Sequence, residues 1–124
     1  MKNQKFDLED RFVEFSSLVI DIVEALPATK TGNYIANQLI RCGLSPAFNY
    51  GEAQSAESRD DFIHKLKISL KELKETRMCL KVIKKKDLVK PENALKIIAR
   101  ENEELIAIIS KSIDTAKRNR KPKP

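Results

Sequence analysis

The chain has 124 residues, a net charge of +6 at neutral pH, 41% hydrophobic and 34% charged residues, and 6% aromatics. That length holds one domain around one core. Two cysteines (Cys42 and Cys79) and a single histidine (His64), with no pairs at metal-ligand spacing, argue against a disulfide framework or a zinc site.

The opening MKNQKFDLED has no apolar signal region. No apolar run approaches the roughly 20 residues that a membrane-crossing helix needs. The expectation is a soluble, cytoplasmic protein that needs neither membrane nor cofactor. Charge is unevenly spread. Residues 1–26 hold six carboxylates against three cations, whereas residues 58–90 hold eleven cations against five carboxylates. Such asymmetry predicts acidic and basic faces able to meet each other or a partner.

Helical periodicity dominates the sequence. A first helix is predicted over about 8–26, with Leu8, Phe12, Phe15, Val19, Ile22 and Leu26 on one side and Pro27 as its stop. After the turn PATKTGN, a second covers about 32–54. A third begins near Ser58, a capping residue followed by Asp60 and Asp61, and runs to about Lys86. Its core positions, Phe62, Leu66, Ser69, Leu73, Thr76, Leu80 and Ile83, recur at steps of four and three, a bundle seam. Pro91 fits the first position of a fourth helix, with Leu95, Ile98, Asn102, Leu105, Ile109, Ser112 and Ala116 as its seam. Asn102 there either sets register or faces a polar patch. Residues 1–116 thus read as an all-α, antiparallel up-down-up-down four-helix bundle, and the basic tail 117–124 as disordered.

The second helix is unusual. Gln38, Arg41, Ser45, Asn49 and Glu52 form one polar stripe, while nearly everything else is apolar or small. One bundle needs one apolar face, so the excess predicts cover by a second copy of the chain. Pro46 removes a hydrogen bond to the carbonyl of Cys42 and either kinks the helix or restarts it with Ser45 as cap. The stripe itself reads more readily as a hydrogen-bond and ion-pair network between helices or subunits than as a pocket, with Glu52 or another carboxylate as the expected partner of Arg41.

The run Gln38-Leu39-x-Arg41, Ser45, Asn49, Glu52-Ala53, then AESRDDFIHKL (56–66) and LKELKET (70–76), resembles the four-helix bundle proteins encoded in 23S rRNA intervening sequences and their stand-alone bacterial homologues. That family is similar in fold to the accessory protein of diversity-generating retroelements, a homopentameric basic barrel that engages a reverse transcriptase and nucleic acid. The resemblance implies a continuous second helix, a ring-shaped homopentamer and no enzymatic activity. The chain departs from the pattern at Pro46-Ala47-Phe48, where aliphatic-Gly-Ala is usual, at Leu44 in place of Thr, and at Cys79 in place of an aromatic.

Two motifs bear on chemistry. Arg59-x4-His64 resembles the ribonuclease motif of HEPN domains, and an arginine with a near-neutral base suits metal-independent RNA cleavage. The two residues sit about 140° apart on one helix, however, which weakens that reading. Lys67, Lys71, Lys74, Lys81 and Lys85 form a basic stripe opposite the Phe62–Ile83 seam, and Lys71 can pair with Glu75. With few aromatics to stack bases, the stripe points to phosphate-backbone binding of RNA or DNA with little sequence preference. The leading expectation is a non-enzymatic, oligomeric accessory bundle that binds nucleic acid. The alternatives are a protein-interaction module without a nucleic-acid role and, more distantly, a HEPN-like ribonuclease.

Overall fold

A computed structural model describes residues 7–90 and 92–119. They form four helices: α1 (Leu8–Ala25), α2 (Lys30–Gln54), α3 (Arg59–Lys85) and α4 (Glu92–Arg118). Short turns reverse the chain each time, and neighbours in sequence are neighbours in space. The α2–α3 seam is the most extensive contact and the α1–α4 seam the slightest. The expected Pro91 start of α4 and residues 120–124 of the tail lie outside the described residues. Lys117 and Arg118 belong to the last turn of α4.

Local chemistry fixes the helix ends. Asp7, Thr29 and Ser58 each cap a helix by accepting from the backbone N–H three residues on, at 2.9, 3.0 and 3.0 Å. The α2 start therefore lies at Lys30, slightly before the expected position. At the far end of α3, Asp87 takes a left-handed conformation (φ 55°). The N–H of Leu88 reaches the carbonyl of Ile83, and that of Asp87 the carbonyl of Lys84, at 3.0 and 3.1 Å. This is a Schellman turn with aspartate in the position glycine usually fills.

The core follows the expected seams. Phe12, Phe15, Val19 and Ile22 of α1, Leu66, Leu73, Leu80 and Ile83 of α3, and Leu95, Ile98, Leu105 and Ile109 of α4 are all buried. Phe12 also stacks on Tyr50 of α2, with ring centroids 5.1 Å apart. Phe62 and Ser112, expected in the seam, are only partly buried because the α3–α4 seam opens into a shallow cleft that both line. At the α1–α2 crossing, a side chain on Gly43 would meet the Val19 methyls at 2.6 and 2.9 Å, so only glycine permits this approach.

Pro46 lies inside α2 without ending it. The helix keeps going because α3 supplies what proline removes. The carbonyl of Cys42, deprived of its partner at position 46, lies 3.0 Å from the Thr76 hydroxyl. That hydroxyl shares its one proton with the Glu72 carbonyl at 2.9 Å. One turn further along α2, Ser69 donates to the Pro46 carbonyl at 3.0 Å. Thus both polar residues of the α3 seam, Ser69 and Thr76, serve the backbone around Pro46.

Candidate nucleic-acid interface

The basic stripe is built by the period of α3. Lys67, Lys71, Lys74, Lys81 and Lys85 recur at helical spacing, with the exposed Met78 filling the gap in the line. All five lysines are exposed. Among the described residues none of the five makes an ion pair, although other cations around them do. The Glu75 that Lys71 might have held is taken by Arg41, because a guanidinium crossing from α2 can reach two carboxylates at once.

The polar stripe of α2 does not act as one network. Arg41 donates to Glu72 at 3.1 Å and to Glu75 at 2.9 Å, both on α3. Glu52 instead accepts from Lys65 at 2.7 Å. Arg41 and Glu52 stand three turns apart on one helix, about 16 Å along its axis, so they cannot pair. Asn49 turns back on its own helix, donating to the backbone carbonyl and hydroxyl of Ser45 at 3.1 and 2.9 Å. Gln38 is partly buried. The arginine is less enclosed than its place among apolar neighbours suggests: its side chain keeps 50% of its exposure, whereas that of Glu72 keeps 11%.

This cluster shifts several ionisations. Burial, and then the neighbouring Glu75, push the Glu72 carboxyl above the usual range. Glu75 is held below it by Glu72 and by Arg41. The two carboxyls thus titrate apart, the more exposed Glu75 giving up its proton before Glu72. Beside them, Cys42 and Cys79 are free thiols from facing helices that influence each other. The Cys42 thiol is drawn down to about 7 by Cys79 and, against the effect of burial, by the Thr76 hydroxyl at 3.4 Å.

Arg59 and His64 sit exposed on the first two turns of α3. Arg59 lines the shallow cleft with Phe62 and the end of α4, and His64 does not. That cleft therefore does not bring the two side chains together around one phosphate.

Sequence reasoning did not foresee the ion pairs that link the outer helices. Arg11 of α1 binds Glu101 of α4 through two bonds of 3.0 and 2.7 Å and reaches Glu104 at 2.9 Å. Arg77 of α3 holds Glu103 of α4 at 2.8 Å through two nitrogens. The acidic run Glu101, Glu103, Glu104 beside the core position Asn102 was the available signal.

Comparison with known proteins agrees with this geometry. A family described as 23S rRNA-intervening sequence protein matches residues 4–111. A solved structure from Bacteroides thetaiotaomicron VPI-5482, described as a protein with unknown function from the S23 ribosomal protein family, superposes with a TM-score of 0.79 at 28% identity. The match covers 86% of this chain and 98% of that one. A search among curated proteins finds no match. No helix among the described residues is long and apolar enough to cross a membrane. Sequence pattern, helix order and structural likeness agree: the chain belongs to the 23S rRNA-intervening sequence protein family.

Proposed function

We propose that the protein is a non-catalytic, self-assembling bundle that holds nucleic-acid phosphates on the lysine face of α3. The observation that carries this reading is the line of five exposed lysines without an ion pair among the described residues. Exposed cations release counterions when they meet a phosphate backbone, and that gain multiplies when an oligomer repeats the stripe. The family description, which names an rRNA intervening sequence, supports a nucleic-acid setting. Two free thiols suit a reducing cytoplasm.

Self-assembly is supported by apolar surface on the other side of the bundle. Val13 and Ile20 on α1, and Tyr34 and Phe48 on α2, are exposed, with Phe48 at 67%. Val13, Phe48 and Gly51 line one shallow depression there, and among the described residues nothing stands over Gly51. A second copy seated on this face would cover what one bundle leaves bare. Five copies is the number the family resemblance implies. Light scattering at micromolar concentration should give several times 14.2 kDa, and a mass of one chain would remove the assembly.

The binding half is tested with single-stranded RNA and duplex DNA at ~50 mM salt, where phosphate contacts are least screened. Both should bind, with little sequence preference. Truncation after Arg118, which removes Arg120, Lys121 and Lys123, should flatten the fall of log affinity with log salt. Absence of binding to either polymer would replace this reading with a protein-docking module.

A further inference from the structure

The C-terminal half of α3 and the N-terminal half of α4 enclose a cleft of about 450 Å³. Its apolar lining is Leu80, Leu95 and Ala99, and Lys81, Lys84 and Lys96 stand exposed around it. Two carboxylates line it as well: Glu103, held by Arg77 and also influenced by Lys81, and Glu92. Asn102 also lines the cleft and is fully buried. Its Nδ2 donates to the Leu73 carbonyl at 3.0 Å, and its Oδ1 has no partner among the described residues. Turning the amide over would set two carbonyl oxygens against each other, so the Leu73 bond fixes the orientation. A buried acceptor left without a donor is costly and calls for a donor from outside the protein.

The cleft makes three demands on an occupant. It must offer an N–H donor to Asn102, a flat body able to leave water and lie on Leu80, Leu95 and Ala99, and an anionic group for the lysines. Inorganic phosphate meets only the last, and a long-chain carboxylate brings no donor. A nucleotide meets all three. We infer that the α3–α4 cleft is a nucleotide site: the base lies on the apolar floor with an exocyclic amino group donating to Asn102 Oδ1, and the phosphate is held by Lys81, Lys84 and Lys96. The nucleotide is either free or one unit of an RNA strand. Only the second source rests on the proposed function, since Lys81 belongs to both the cleft and the stripe.

The test is a titration of the intact protein with adenosine monophosphate, followed by amide chemical shifts and calorimetry. Saturable binding is expected, with shifts confined to residues 77–84 and 92–103. Adenosine and purine riboside monophosphate, which lack the phosphate and the amino group respectively, should each bind at least about tenfold more weakly. Asn102→Leu should weaken adenosine monophosphate and leave purine riboside monophosphate unchanged. If that variant does not fold, the comparison of the two ligands on the native chain decides alone. Equal affinity for the two ligands, shifts elsewhere, or no saturation by about 10 mM would overturn the site. Single-stranded oligoadenylate that competes with the mononucleotide assigns the strand source. Mononucleotide binding without RNA binding would keep the cleft and remove the proposed function, whereas RNA binding without mononucleotide binding would do the reverse.

Discussion

The two sides of α3 treat their polar side chains in opposite ways. Toward α2, Ser69, Glu72 and Thr76 are buried, and each has a partner: the Pro46 carbonyl, the Arg41 guanidinium and the Cys42 carbonyl. Toward solvent, Lys67, Lys71, Lys74, Lys81 and Lys85 are exposed and form no ion pair among the described residues. The difference follows from the cost of burial. A polar group removed from water must be paid for by a bond, so its identity is tied to the fold. A lysine in water costs nothing to leave open, so the line of five owes nothing to the packing of the helices.

The packed side should respond most to substitution. Thr76→Val keeps the shape and removes the donor from Cys42, and a loss of about 2 kcal/mol in urea unfolding is expected. Pro46→Ala restores the backbone N–H that Cys42 lacks, so it should recover about 1 kcal/mol more in the Thr76→Val background than in the native one. Strict additivity of the two changes would mean that threonine does not stand in for the missing helix bond.

Arg41→Ala comes next. Its half-exposed side chain limits the loss to about 1 kcal/mol, well under the several kcal/mol that a buried arginine would give. A loss above about 3 kcal/mol would mean that the site is closed in solution by another subunit. Arg77→Met should cost still less, about 0.5 kcal/mol, with a characteristic pH dependence. Arg77 holds Glu103 below its ordinary value of 4.5. The pair's contribution is therefore complete above that value and is lost as pH falls through the lowered one, so the variant should differ from the native chain at pH 7 and converge with it in acid. A difference that persists unchanged in acid would assign the effect to packing of the arginine stem. Smallest of all, reversal of Lys67, Lys71 and Lys74 to glutamate should alter stability by no more than about 0.5 kcal/mol.

The sequence made the frame legible because helix periodicity is local. Steps of four and three placed Leu66 through Ile83 and Leu95 through Ile109 in the core before any packing was known. Ile63, Ile106 and Ile113 are buried as well, since the apolar face of a bundle helix is wider than a single seam. The partner of Arg41 was not legible, because it depends on the register between α2 and α3 and no single-helix pattern carries that register. The same holds for Ser69 and Thr76: their places in the seam were visible, but their service to Pro46 becomes apparent only when the two helices are set side by side. The lysine stripe was fully visible, yet its freedom from ion pairs was not, because that required knowing that Arg41 occupies Glu75.

The decisive measurement is the affinity for single-stranded RNA over a salt series, for the native chain and for the variant with Lys67, Lys71 and Lys74 changed to glutamate. The native chain should bind at ~50 mM salt, and the variant's slope of log affinity against log salt should be shallower by about 2, the share of three single-strand phosphate contacts. A folded variant that binds with the native slope and affinity would contradict the assignment of the α3 face to nucleic acid.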